Sequence, residues 1–276
     1  MALSVNNNSA ALTALQNLNA TNEQLTAVQA RISTGLKVGT AKDDAAIWSI
    51  AQGQRADIGA LGAVKNSLDR ASSIAQVSLT AGASVSDLLV QLKEKVVAAM
   101  DPSLDLNSRN ALNADYKALL NQVAQVANAA TFDGANIIDG SLGADIRFLA
   151  NADGNAYITL SVKDMTLGGS IITLASTSSI GTVTQATTVM AALTVSLNNV
   201  NASLGDIGAQ AKQIDAHNTF VSKLSDVLET GVGNLVDADL AKESARLQAL
   251  QVQQQLGTQA LSIANTGPQT ILALFK

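Results

Sequence analysis

Two long stretches of this chain, one toward each end, space their apolar residues in steps of three and four, and only Pro102 and Pro268 interrupt the 276 residues. On the N-terminal side the series is Leu12, Leu15, Leu18, Leu25, Val28, Ile32 and Leu36. On the C-terminal side it runs Val189, Leu193, Leu197, Val200, Leu204, Ile207, Ala211 and Ile214, and continues through His217, Val221, Leu224, Leu228 and Val232. Such spacing gathers side chains on one face of an α-helix. With so few prolines, little breaks the helices once begun. The spacing predicts a first break at Ser33-Thr34-Gly35 and a late one at Gly231 and Gly233. A last helix follows, capped by Asp237 and carrying Leu240, Leu247, Leu250 and Leu261.

Between the ends, Asp43 and Asp44 suit a helix start, because carboxylates accept the free N–H groups there and oppose the helix dipole. The helix they open passes Ile47, Ile58, Leu61, Leu68, Ile74, Leu88 and Val96, and stops near Asp101-Pro102. Leu112, Tyr116, Leu119, Val123 and Val126 form a third face, read as antiparallel to the second. The texture then changes over about residues 132–180. Ile146–Ala150 and Tyr157–Val162 flank Asp153-Gly154, a β-hairpin signal. Residues 161–179 read as short strands and loops.

The predicted fold is mainly α: a long antiparallel helical bundle or coiled coil formed by both chain ends, with a small β-hairpin insert. One helical hairpin leaves much apolar surface uncovered, and lone amphipathic helices are marginal in water. The ends are therefore expected to be loosely ordered alone and ordered in an assembly.

Composition narrows the function. Charged residues make up 14%, well below the usual quarter, which suits surface buried in an assembly. The net charge is -5 with no basic stripe, so nucleic-acid binding is not expected. Cys is absent and His217 is the single histidine, so a Cys/His zinc site or a Cys–His nucleophile pair cannot be built. His217 reads as a packed or hydrogen-bonded helix residue. No cofactor is expected. The first residues carry neither a basic nor an apolar signal region, and no run of 18 apolar residues suggests membrane insertion.

Two segments are more specific. Leu25-x-x-Val28-Gln29-x-Arg31-Ile32-Ser33-Thr34-Gly35-Leu36-Lys37-Val38, followed by Ala41-Lys42-Asp43-Asp44-Ala45-Ala46, resembles the N-terminal signature of flagellins. Leu235-Val236-Asp237-Ala238-Asp239-Leu240-Ala241-Lys242-Glu243-Ser244 is similar to the flagellin C-terminal region. So are Gln253-Gln254-Gln255-Leu256-Gly257, Ala260-Leu261-Ser262-Ile263-Ala264-Asn265 and Pro268 to Phe275. The wording is nearest to alphaproteobacterial flagellins.

The resemblance implies a filament subunit, extracellular, exported through the flagellar type III channel without a cleavable signal peptide. Residues 1–42 and 235–276 would form the inner coiled-coil domain, and 43–234 the outer spoke. Leu25, Val28, Ile32, Leu36, Leu256, Leu261, Ile263, Leu272, Leu274 and Phe275 are the expected assembly contacts. Arg31, Gly35, Asp43, Asp44 and Asp237 are motif or capping positions. The implied partners are further copies of the chain, an export chaperone on the C-terminal segment, and hook-junction and filament-cap proteins. Thr177, Ser178, Ser179 and Thr187 are candidate O-glycosylation positions on polar surface loops. Gln91 stands where many flagellins carry an Arg read by an innate receptor, although Glu94 is present, which argues against that recognition. Three alternatives stay open at this point: a hook–filament junction protein, a free-standing helical scaffold, and an enzyme.

Overall fold

A computed structural model describes residues 8–274, with side chains to residue 266. Its elements are α1 (Ser9–Thr34), α2 (Ala45–Ala99), α3 (Leu106–Ala129), β1 (Ile146–Leu149), β2 (Tyr157–Leu160), α4 (Val183–Val236) and α5 (Leu240–Leu274). They divide into two compact units. Met1–Ala56 and Val227–Lys276 form the terminal unit, and Asp57–Asp226 the central one. The sequence had put this boundary at the turns near residues 42 and 235. The helices run through instead: Ala51, Val232 and Val236 are buried and extend the terminal unit into α2 and α4.

In the central unit α2, α3 and α4 bury one face each. Leu68, Ile74, Leu89 and Leu92 of α2 meet solvent nowhere or almost nowhere, as do Tyr116, Leu120 and Val123 of α3 and Leu193, Val200 and Ile207 of α4. The buried face of α3 is turned from the one expected: Leu112, Leu119 and Val126 are only half-buried. α3 returns antiparallel to α2, as Lys95 pairs with Asp115 at 2.8 Å. The buried guanidinium of Arg109 closes that corner by donating to the carbonyl oxygens of Ala99 and Asp101. One 18-residue window of α2 is apolar enough to pass for a membrane span, yet a third of it is buried in the fold, the share that one helix face supplies.

β1 and β2 pair antiparallel, Ile146 opposite Leu160 and Leu149 opposite Tyr157. Gly154, at φ +69°, makes the turn, and the Asn151 carboxamide accepts from Asn155 N–H and Ala156 N–H. Phe148, Ile158 and Leu160 point inward. The stretch after β2 was expected to hold more strands. Among the described residues it holds turns and a single Leu167–Ile172 bridge. His217 ties α4 to this region, its Nε2 2.7 Å from the Ala150 carbonyl oxygen.

Several helix ends differ from expectation for a local reason. α4 begins six residues before Val189, the first apolar residue of its series, because Thr182 and Gln185 cap it reciprocally: the Thr182 hydroxyl accepts from Gln185 N–H, and the Gln185 carboxamide from Thr182 N–H. Gly231 and Gly233 do not break α4, which continues to Val236. Asp237 does not cap α5. That role belongs to Asp239, whose Oδ1 accepts from Ala241 N–H and Lys242 N–H at 3.1 Å each.

Candidate assembly surface of the terminal unit

The terminal unit is organised around two chain breaks that meet. α1 ends at Gly35, whose φ of +72° is left-handed and needs no Cβ there, and whose N–H bonds the Arg31 carbonyl oxygen at 2.9 Å. The chain then crosses to the α4–α5 break. Lys37 N–H and Val38 N–H both donate to Val236 O, and Ala238 N–H donates to Gly35 O. Leu36 therefore lies beyond the α1 face on which it was expected, in an antiparallel bridge with Asp237. The two acids that follow divide their work. Asp44 Oδ1 caps α2 through Ala46 and Ile47 N–H at 3.0 Å each. Asp43 Oδ2 instead closes the turn before it, accepting from Gly39 N–H, Thr40 N–H and the Thr40 hydroxyl. The Thr40 N–H is the main reason its carboxyl is held below the ordinary aspartate value.

From this junction α1 and α5 run antiparallel. Arg31 Nη1 reaches Glu243 Oε1 at 3.4 Å, Gln254 Nε2 donates to Asn22 Oδ1 at 2.7 Å, and Asn8 Nδ2 donates to Ala264 O at 2.8 Å. The less exposed residues of α5 are Glu243, Leu247, Leu250, Gln254, Gly257, Leu261 and Ala264. Their steps alternate four and three, the spacing of a coiled-coil seam. Those of α1 include Leu18, Leu25, Val28 and Ile32, in the same spacing, with Val28 2% exposed.

α5 carries a second stripe of the same spacing. Ala249, Val252, Leu256, Gln259 and Ile263 are all exposed, Leu256 by 58% and Ile263 by 72%. The stripe lies two residues' rotation round the helix from the first, about 160° away and so nearly opposite it. The expected assembly residues thus split into two faces. Leu25, Val28, Ile32 and Leu261 lie in the covered seam, whereas Leu256 and Ile263 stand uncovered. Leu272 and Leu274 fall where α5 is described without side chains, and Phe275 lies outside the described residues. The uncovered stripe was missed by sequence reading, though Val252, Leu256 and Ile263 carry its signal.

The candidate modification positions also divide. Thr177 is exposed, and among the described residues its side chain makes no hydrogen bond. The Ser178 hydroxyl meets Tyr116 Oη at 2.7 Å, and the Ser179 hydroxyl donates to Asn113 Oδ1 at 2.9 Å. Thr187 is not in a loop but in α4, its hydroxyl donating to Val183 O. Gln91 and Glu94 are both exposed on α2. Among the described residues, no group of three or more His, Asp or Glu side chains is placed to hold a metal ion.

Comparison with known proteins gives a consistent set. Residues 5–142 match the bacterial flagellin N-terminal helical region, and residues 190–275 the bacterial flagellin C-terminal helical region. Flagellin FljJ of Caulobacter vibrioides is 57% identical over 280 aligned residues, which cover 100% of this chain and 99% of that protein. A flagellin of Brucella melitensis is 37% identical over 99% of both chains. Among solved structures, the Bacillus cereus flagellin crystal structure superposes with a TM-score of 0.50 at 20% identity, over 56% of this chain and 88% of that one. A putative flagellar hook-associated protein from Vibrio parahaemolyticus superposes with a TM-score of 0.56 at 13% identity, over 71% of this chain and all of that one. At those identities the two superpositions speak to the fold alone.

Proposed function

This chain belongs to the bacterial flagellin family and is a structural subunit of the extracellular flagellar filament, and from that premise we propose that it polymerises by burying the outer stripe of α5 against neighbouring copies. The observation that carries the reading is the uncovered stripe itself, a second heptad-spaced stripe nearly opposite the seam already filled by α1. Burying an isoleucine or leucine side chain contributes roughly 1.5–3 kcal/mol. Ordering the backbone costs about 1–2 kcal/mol per residue. The two are of the same size, so a thin pair of helices gains its order from the lattice. A contact between different patches of identical copies, repeated with a rotation that does not close, makes an open helical polymer. The hook-associated superposition does not favour a junction protein, since whole-length identity lies with flagellins.

Finer points of the reading follow the family. The chain leaves the cell through the flagellar export channel without losing a signal peptide, with a chaperone on its C-terminal segment. It meets hook-junction and cap proteins at the filament ends, and it catalyses no reaction. Any sugar on the outer loops is carried by Thr177, the free hydroxyl of the four, and its added mass is lost in Thr177→Val.

The test is seeded growth. Purified chain is added to short sheared filaments and followed by light scattering and electron microscopy. Leu256→Glu with Ile263→Glu places two charges on the outer stripe and touches no covered residue. This variant is expected to stay folded by circular dichroism and to fail to elongate. Growth at the parent rate overturns the proposal.

A further inference from the structure

The seam between α1 and α5 poses a problem of choice. Its apolar residues repeat every seven positions, so the hydrophobic pattern alone tolerates a slip of one heptad. The outer stripe of α5 has the same spacing and offers the α1 of another copy an alternative bed, a point that rests on the assembly reading above. Something must fix which helix pairs with which, and in what register.

We propose that three seam pairs, Arg31–Glu243, Asn22–Gln254 and Leu18–Gly257, encode this choice: they hold α1 on the inner face of its own α5 in a single register. Glu243 and Gln254 occupy positions of the α5 seam where an apolar residue would otherwise sit. Glu243 is 9% exposed, and its Oε2 is buried with no hydrogen-bond partner among the described residues. A carboxylate so placed weakens the pair relative to leucine, yet it discriminates sharply between partners, because any other alignment strands it. Moving α5 by seven residues sets Arg31 opposite Leu250, Asn22 opposite Leu261 and Leu18 opposite Ala264. Two polar groups then lose their partners against leucine. At Gly257 the fit is steric: a Cβ there would lie 3.2 Å from Leu18 Cδ1. With any side chain there, Leu18 has to shift by a few tenths of an ångström.

The same code rejects the outer stripe. Two residues' rotation round α5 replaces Glu243 by Ala245, Gln254 by Leu256 and Gly257 by Gln259, all exposed. The α1 of a second copy docking there would leave Arg31 and Asn22 without polar partners and set Leu18 against an amide, the unfavourable element that specificity requires.

The chain has no cysteine, so introduced pairs report register directly. A Cβ at Gly257 lies 3.8 Å from Leu18 Cβ, within disulfide reach. Leu18→Cys with Gly257→Cys therefore reads the native register, and Leu18→Cys with Ala264→Cys the slipped one. Both are oxidised in soluble chain and in seeded filaments, and products are separated as intrachain loops or interchain dimers by gel mobility and mass. In the parent background the first pair closes within one chain and the second does not. With Asn22→Leu, Gln254→Leu and Glu243→Leu added, closure of the slipped pair rises about tenfold or more and interchain dimers appear. Glu243→Arg alone loosens the register, and Arg31→Glu with Glu243→Arg restores it, a rescue that mere loss of folding does not give. Slipped closure in the parent, an unchanged pattern in the leucine background, or no native closure in either preparation overturns the proposal. If the native pair closes in soluble chain and no filament grows, the assembly reading fails and the register code stands.

Discussion

The central and terminal units use the same secondary structure and very different amounts of core. In the central unit α2, α3, α4 and the hairpin enclose Leu68, Leu92, Tyr116, Phe148, Leu160 and Met165 almost completely. Among the described residues of the terminal unit the buried apolar ones are Val28, Val38, Ala51, Val232, Val236 and Leu250, while Leu12, Leu15, Val252, Leu256 and Ile263 stay exposed. Three helices plus a hairpin cover one another, whereas two paired helices each keep most of their circumference in water. The difference teaches where each unit's stability comes from. The central unit is complete as a single chain. The terminal one leaves apolar surface that, on the assembly reading proposed above, further copies would cover.

Substitutions break this comparison in order of size. Phe148→Ala should remove about 3–5 kcal/mol from the central unit, read as a lower denaturant midpoint by tryptophan-independent circular dichroism. An unchanged midpoint would mean that the hairpin does not seal the core. Arg109→Ala should cost about 1–3 kcal/mol by leaving the Ala99 and Asp101 carbonyl oxygens unpaired, with faster hydrogen exchange confined to the α2–α3 corner. Asp239→Ala should cost about 1 kcal/mol of α5 order, seen as fraying at Ala241 and Lys242 and offset within filaments.

Below these comes a pH effect in the turn before α2. The Asp43 carboxyl is held below the ordinary aspartate value mainly by Thr40 N–H, and the Asp101 carboxyl by Ser103 N–H. A depressed folded value means that the contribution is present above the unfolded value and is lost as pH falls through the folded one. The 39–43 turn should therefore stay closed at neutral pH and open only below the ordinary carboxylate range. A carboxyl-carbon NMR titration of Asp43 with its midpoint at or above the ordinary value would contradict this. The smallest effect expected is Leu256→Ala, within about 0.5 kcal/mol in the isolated chain. Its consequence belongs to elongation.

How far the sequence reveals this depends on the range of the forces involved. Steps of three and four expose the helices, and Asp-Gly exposes the hairpin turn, because both are local. Helix ends are less legible. Gly231 and Gly233 look like breakers, but α4 continues past them, with Val232 and Val236 buried on either side of Gly233. Asp237 looks like the cap of α5 until its backbone is seen in the bridge with Leu36 and Asp239 is found accepting the α5 N–H groups. The faces of α5 are least legible. Leu256 and Leu261 are both leucines five residues apart, and only the position of α1 shows that one is covered and the other is not.

The most direct test labels single cysteines at Leu256→Cys and Ile263→Cys with a thiol reagent, in soluble chain and in filaments grown from it. Both positions should react readily in the soluble chain, where they are exposed, and become strongly protected in the filament. Equal labelling in the two states would contradict the claim that neighbouring copies cover the outer stripe of α5.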